Sequence, residues 1–344
     1  MRKLVVIAAF PLLLAACAAP HPPAAEANVV PMPYVRVVNT GSNLVELQIA
    51  LRKFVPTRAS TAAVWLVGVA HIGDPEYYRK LQTRLSVPSL VLCEGVRPEL
   101  FETPPAPATN VSAVGLGSAL PADEPSLGSM QHSTAESLGL VFQLDVMNYH
   151  RRNFRNSDLS ITEIRQLLAE PSGGPSAAQG QFASLVSLMQ GGTIINSLID
   201  TTVKFIGSND KLRDTARLAL IEVLGQLPGD FSRSPGLPPD VQRLLRIIIE
   251  SRNQKVIGDL RIVLQRIPSY GTVAIFYGTG HMDDMERRLR TELHYRPAGE
   301  EWLTAFAVDL AQSGITPAEA EAIRLFAQKQ MERFRPREDS DVKK

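Results

Sequence analysis

Two histidines stand in matching surroundings at opposite ends of this chain. His71 closes the run VWLVGVAH that starts at Val64, and His281 closes VAIFYGTGH, which starts at Val273. Each is an apolar, β-branched run ending in Gly-x-x-His, with Gly68 and Gly278 as the glycines. The match continues past the histidines: Asp74 and Asp284 follow three residues later, and Glu76 and Glu286 five residues later. A third group, Glu94, closes the apolar run LVLCE. Two imidazoles and one carboxylate form a common ligand set for a divalent metal that keeps open positions, as in hydrolytic zinc sites or non-haem iron sites. The glycines at 68, 278 and 280 let the backbone turn tightly beside a ligand. Arg252 and Asn253 interrupt an otherwise apolar helical pattern, and a buried arginine needs a carboxylate or an anionic ligand. Either Arg252 lies on the solvent face, or it points into the site to hold a substrate carboxylate or an oxyanion. Glu250, two residues away, falls on a different helix face and is not its obvious partner. Asp74 and Asp284 read as helix caps, and Glu76 and Glu286 as first-turn carboxylates that suit a helix dipole.

These groups need elements to bring them together. Val64 to Val69 is apolar on both faces, as expected of a buried parallel strand. Pro75 opens a helix in a favoured first-turn position, and Tyr77, Leu81 and Leu85 recur at helical spacing. Leu90 to Glu94 is a second strand, so strand, helix and strand make a βαβ unit in ~30 residues. Strand ends that feed helices lie at the carboxyl edge of the sheet, where open α/β sheets bind ligands. Glu94 is one crossover from His71, and adjacent parallel strands are ~5 Å apart, which puts both within reach of one ion. Between the two histidine units, residues 134–267 read as an all-helical insertion, including a helix from Phe182 to Ile206 and one from Leu237 to Ile267. Ser160 and Glu163 stand at capping-box spacing there. Residues 103–133 read as a long loop rich in Pro, Gly, Ser and Ala. LVELQIALRKFV, starting at Leu44, reads as a short helix with Arg52 and Lys53 on its outer face, in a stretch where the pattern is ambiguous. EWLTAFAVDL, 301–310, is a last strand, and Thr316 and Pro317 open a C-terminal helix.

The chain has 344 residues, 44% of them apolar, with a net charge of +1 and no dense basic stripe, which argues against nucleic-acid binding. Arg2 and Lys3 precede an apolar core, Leu4 to Leu14, too short for a permanent membrane helix. The core ends in Leu14-Ala15-Ala16-Cys17, which looks like a bacterial lipobox whose cysteine carries lipid. Ala18 after it, by resemblance to Gram-negative lipoproteins, points to the outer membrane, facing the periplasm. Residues 1–17 are then the signal peptide with its lipobox, 18–33 an Ala/Pro-rich tether, 34–335 a single domain and 336–344 a charged tail. With Cys17 lipidated, Cys93 is left as a small buried hydrophobe in LVLC.

GVAH at 68–71, LCEG around Glu94, ESRN at 250–253, GTGH at 278–281 and the stretch Leu138 to Asp158 together resemble the TraB/PrgY/GumN family, related to the TIKI proteins. The likeness covers roughly residues 60–310 in order, with Ser251 between Glu250 and Arg252 where the family has Glu next to Arg-Asn. It implies an α/β core of two repeated strand-His-helix halves sharing one mixed sheet, related to erythromycin-esterase-like and ChaN-like folds. It also implies a metal-dependent hydrolase, a protease in the TIKI branch, with manganese or cobalt preferred. On this reading His71, Glu94 and His281 hold the ion (Mn, Co or Zn), Arg252 or Asn253 stabilises the oxyanion, and the substrate is a peptide or small molecule. Two alternatives stand beside it: a haem- or anion-binding lipoprotein without catalysis, and a metal-free esterase-like hydrolase with a His or Glu94 as general base.

Overall fold

Apolar Val45, Leu47, Ile49 and Leu51 alternate with Glu46 and Gln48, a period of two that suits a strand. The structure, a computed structural model, describes residues 32–41, 43–58, 62–95, 127–169, 209–227, 229, 234–237, 239–266, 271–332 and 334. In chain order the elements are β1 (Val35–Thr40), β2 (Leu44–Pro56), β3 (Ala63–Val69), β4 (Ile72–Gly73), α1 (Pro75–Arg84), β5 (Leu90–Cys93), α2 (Leu127–Ser137), β6 (Val141–Phe142), α3 (Gln143–Val146), β7 (Phe154–Asn156), α4 (Ile161–Ala169), α5 (Asp210–Leu224), α6 (Pro239–Leu264), β8 (Thr272–Gly278), α7 (Met282–Thr291), β9 (Tyr295–Asp309), α8 (Leu310–Ser313) and α9 (Pro317–Glu332). The fold is α/β, with one mixed sheet.

Strands run in the order β1-β2-β3-β8-β5-β7, and β9 pairs with β2. β2 is antiparallel to β9 along its whole length, while β1 and β3 share its other edge. From β3 onward the sheet is parallel: β3 with β8, β8 with β5, β5 with β7. Val67, Val69, Val91 and Phe276 face one way, into a core shared with Tyr77, Tyr78 and Leu81 of α1 and Leu218 and Ile221 of α5. Val64, Leu66, Leu92 and Ile275 face the other way, against Val256, Ile257 and Leu260 of α6 and Met282, Met285 and Leu289 of α7. Helices on both faces explain why these strands are apolar throughout.

The sequence expectations for β3, α1, β5, α6, β8 and α9 agree with the structure to within a few residues. The capping box also forms: Ser160 N donates to Glu163 Oε2 at 2.6 Å, and Glu163 N to Ser160 Oγ at 3.2 Å. Three expectations are corrected. LVELQIALRKFV is a strand, because ladder bonds on both edges satisfy its backbone, and its Arg52 is buried. The segment 134–267 is not helical throughout, since β6 and β7 lie within it and β7 extends the parallel sheet beside β5. Helix α2 begins at Leu127, inside the stretch read as loop. The lipobox, most of the tether, the first part of that loop, the Phe182 to Ile206 helix and the tail lie outside the described residues. No helix of the described residues is long and apolar enough to cross a membrane.

Arg52 shows how a charge is accommodated inside this sheet. Its guanidinium sits 4.2 Å above the Tyr34 ring, pairs with Glu286 at 3.2 Å, and donates to the carbonyls of Met32 and Pro33 at 2.6 and 2.8 Å. Tyr34 also donates to Glu286, at 2.8 Å. Glu286 is therefore a buried counter-ion, and it lies beyond the first turn of α7 in which it was expected. Removing one partner of a buried ion pair strands the other, at ~3–5 kcal/mol. Glu286→Ala is expected to lose that much stability in urea unfolding; a loss under about 1 kcal/mol would show that Glu300, 3.3 Å from Arg52 Nε, suffices as its counter-ion.

Candidate functional site

Four neighbouring parallel strands end on the same edge, and each delivers one part of a polar centre. Beyond β3 the chain leaves the sheet at Ala70, whose N–H donates to Tyr77 Oη at 3.3 Å and whose carbonyl accepts from Tyr78 Oη at 2.8 Å. The first turn of α1 thus fixes the turn that carries His71, which is exposed. Beyond β8, a short 3-10 turn, Thr279–His281, leads straight into α7 and leaves His281 only 8% exposed. Beyond β5 comes Glu94, with its N–H on the Phe276 carbonyl at 3.0 Å. Beyond β7 comes Asp158, 1% exposed.

His71 and Glu94 do not meet as side-by-side neighbours, as the βαβ reading expects, because β8 lies between their strands. They meet over Gly278, the last residue of β8. Its N–H donates to Glu94 Oε2 at 2.8 Å. A Cβ on Gly278 would crowd His71 Nε2 at 3.2 Å while meeting Glu94 Oε2 at an ordinary 3.5 Å, so the missing side chain gives the imidazole room to approach.

Helix α6 crosses beneath this edge and supplies Arg252 and Asn253. Arg252, 2% exposed, donates from Nε and Nη2 to the two oxygens of Asp158 at 2.8 and 2.6 Å, and from Nη2 to Glu94 Oε1 at 2.7 Å. Its Nη1 lies 3.4 Å from His281 Nε2, and that nitrogen lies 3.9 Å from Glu94 Oε1. Asp158 also accepts from the N–H groups of Gly95 and Leu159, at 2.9 and 2.8 Å, so its carboxylate is fully satisfied. Asn253 donates from Nδ2 to the His281 carbonyl at 3.1 Å and to Asp284 Oδ2 at 2.9 Å. Both acceptors lack hydrogens, so the amide has one orientation, and its Oδ1 faces His281 Nδ1 at 2.7 Å. The ring proton of His281 is therefore on Nδ1, and Nε2 carries a lone pair. His71 Nδ1 likewise meets a carboxamide, with Gln143 Oε1 at 2.9 Å.

Electrostatics follow from this packing. Burial alone would raise the Glu94 carboxyl, but Arg252 first, then the two imidazoles and the Gly278 N–H, hold it well below the ordinary carboxylate range. Burial, then Arg252, push the His281 imidazole down to about 4, against the opposing pull of Glu94 and Asp158. The centre thus holds an ionised carboxylate beside a neutral imidazole, with one guanidinium against two acids. Groups perturbed by burial together with specific charge partners cluster at functional sites.

Of the residues singled out in the sequence, His71, Glu94, His281, Arg252, Asn253 and Gly278 converge here. Gly68 does not; a Cβ there would meet Thr279 and Ile49 side chains and the Ala50 carbonyl, which is a packing constraint. Asn253 has spent its amide donors on His281 and Asp284, so it positions the histidine and has none to offer an oxyanion. The capping expectation is corrected for both aspartates. Asp74 occupies the cap position of α1 without a side-chain cap bond and pairs with Arg217 at 3.3 Å. Asp284 lies inside α7, buried, and binds Asn253 and Arg288. Asp158 and Gln143 were not singled out as site residues. Both sit in the Leu138 to Asp158 stretch, where only the family likeness gave a signal. Comparison with family models, with curated proteins and with solved structures finds no match for this chain.

The depressed His281 value carries a pH prediction. An unfolded chain takes up this proton near 6.5, the folded chain only near 4. The unfolded state binds more protons between those limits, so this contribution to stability is complete above pH 6.5 and is lost as pH falls towards 4. Urea midpoints should fall across that window more steeply for the wild type than for His281→Gln. Equal slopes would show that His281 is not held neutral by the fold.

Proposed function

We propose that this edge is the active site of a hydrolase, in a lipid-anchored protein held through Cys17 at the outer membrane and facing the periplasm. One observation carries the reading: the carboxyl ends of adjacent parallel strands bring an ionised Glu94 against His71 across Gly278, with His281 Nε2 3.9 Å from the same carboxylate. We further propose that the chain belongs with the TraB/PrgY/GumN proteins and is built as two repeated halves. The parallel pair β3 and β8, each running into a histidine turn and a helix, supports that reading.

The family likeness implies a divalent ion, and the residues fit one in kind. His71 and His281 have their Nδ1 atoms engaged by amide oxygens, the outer contact that orients metal-binding imidazoles, and Glu94 is ionised. His71, Glu94 and His281 would be its holders, and its chemistry would be to make a bound water acidic near neutrality. As placed, no three His, Cys, Asp or Glu among the described residues close around one point. Without an ion, the Nε2 atom of His71 is free to act as a base. Exposed His71 would then accept a proton from water at Nε2 as the oxygen adds to a scissile carbonyl carbon. It can return that proton to the leaving group as the old bond breaks. Arg252 keeps Glu94 ionised and fixed beside that water.

The contacts of Arg252 favour a second reading, hydrolysis without metal, because its cationic head already bridges Glu94 and His281. One experiment separates the two. The purified chain is assayed for bound metal and for hydrolysis of a panel of peptides and esters, with and without EDTA. We expect near-stoichiometric metal and a chelator-sensitive activity. His71→Ala and His281→Ala should each lower it on the order of 10²-fold or more. Activity that persists in EDTA would select the metal-free reading. An inactive, metal-free wild type would overturn both.

A further inference from the structure

Gln143 grips His71 twice. Its backbone N–H donates to the His71 carbonyl at 2.8 Å, and its Oε1 meets His71 Nδ1 at 2.9 Å. The small sheet of β4 and β6 is what brings it there: Ile72 pairs with Phe142 and Gly73 with Val141, which docks the start of α3 against the turn that carries the histidine. Gln143 is 6% exposed, and its Nε2 donates to Tyr149 Oη at 2.5 Å. Tyr149 is itself fixed, with its ring 6.0 Å from Phe154 and 6.2 Å from Phe276. In the structure the phenol oxygen accepts from the nitrogen end of the amide, and the oxygen end faces the imidazole.

Glu94 works against this arrangement. Its negative charge lies on the Nε2 side of the ring and draws the imidazole proton towards Nε2. A hydrogen-bond acceptor on the far side is what keeps the proton on Nδ1 and Nε2 bare. At His281 the same task falls to Asn253, whose orientation is fixed by acceptor-only oxygens. Both histidines thus lean on a neutral carboxamide, which sets the position of the ring proton without adding a negative charge.

We propose that Gln143, held by Tyr149, is the positioning residue of His71, and that it presents Nε2 unprotonated to the site. This deepens the hydrolase reading and rests on it for its purpose, although the tautomer itself can be read without turnover. The test is a long-range proton–nitrogen NMR spectrum of the full chain labelled at histidine nitrogens. In the wild type, both His71 and His281 should show the Nδ1–H tautomer. In Gln143→Leu, His71 should lose that single tautomer while His281 keeps it. In Gln143→Glu, which restores an acceptor, His71 should regain it. If Gln143→Leu does not fold, Tyr149→Phe serves, and His71 should again show a mixture. Where turnover is measurable, kcat should fall in Gln143→Leu with KM little changed. A wild-type His71 protonated at Nε2, or an unchanged tautomer in Gln143→Leu or Tyr149→Phe, would overturn the proposal. A chain with the expected tautomers but no hydrolysis would instead count against the hydrolase reading alone.

Discussion

The buried guanidinium of Arg252 is the interaction on which the site depends. An unpaired charge at 2% exposure would cost several kcal/mol, so the fold must bring acids to it. It does so with Asp158 from the end of β7 and Glu94 from the end of β5, while the same guanidinium reaches towards His281 beyond β8. One side chain from α6 therefore ties together three strand ends that are far apart in sequence. A buried ion group of this kind is weak evidence for stability, since apolar replacements of equal volume often do as well. What it supplies here is geometry: an ionised carboxylate held at a fixed place beside an imidazole that stays neutral.

The sheet order explains why this geometry is available. Placing β8 between β3 and β5 brings the second histidine unit into the middle of the first βαβ unit, so residues from both ends of the chain share one edge. At that edge the centre is closed on the α6 side, where Arg252 and Asn253 are buried, and open on the His71 side. Water can reach His71 and part of Glu94, while the charges that set their states are kept out of solvent. Low local dielectric strengthens those contacts and makes each unsatisfied partner costly.

Much of this was legible in the sequence, for physical reasons that differ from residue to residue. The apolar runs before His71 and His281 had to be buried parallel strands, and Pro75 had to open a helix, because no other element suits those patterns. Arg252 within an apolar helix called for a counter-ion, but nothing in its spacing named Asp158. That partner comes from a three-residue strand, too short to announce itself. β2 was misread because the adjacent charges of Arg52 and Lys53 end an alternation that runs from Val45 to Leu51; the charge of Arg52 is absorbed by Glu286 and by carbonyls that no periodicity reveals. The order β3-β8-β5 was equally hidden. It is a tertiary choice, and it changed the meeting of His71 and Glu94 from a side-by-side contact into one across a glycine. Gln143 does open a helix, but no pattern shows that β4 and β6 set it down against His71.

The most direct test of this account is a double-mutant cycle on the pair at its centre, with Arg252→Met, Asp158→Leu and the combined variant compared by urea unfolding. If the two side chains satisfy each other in a dry interior, each single change should cost roughly 3–5 kcal/mol and the double change far less than their sum, a coupling of a few kcal/mol. Costs that add to within about 0.5 kcal/mol would contradict it, because they would mean that Arg252 and Asp158 do not depend on one another and that the site is arranged by something else.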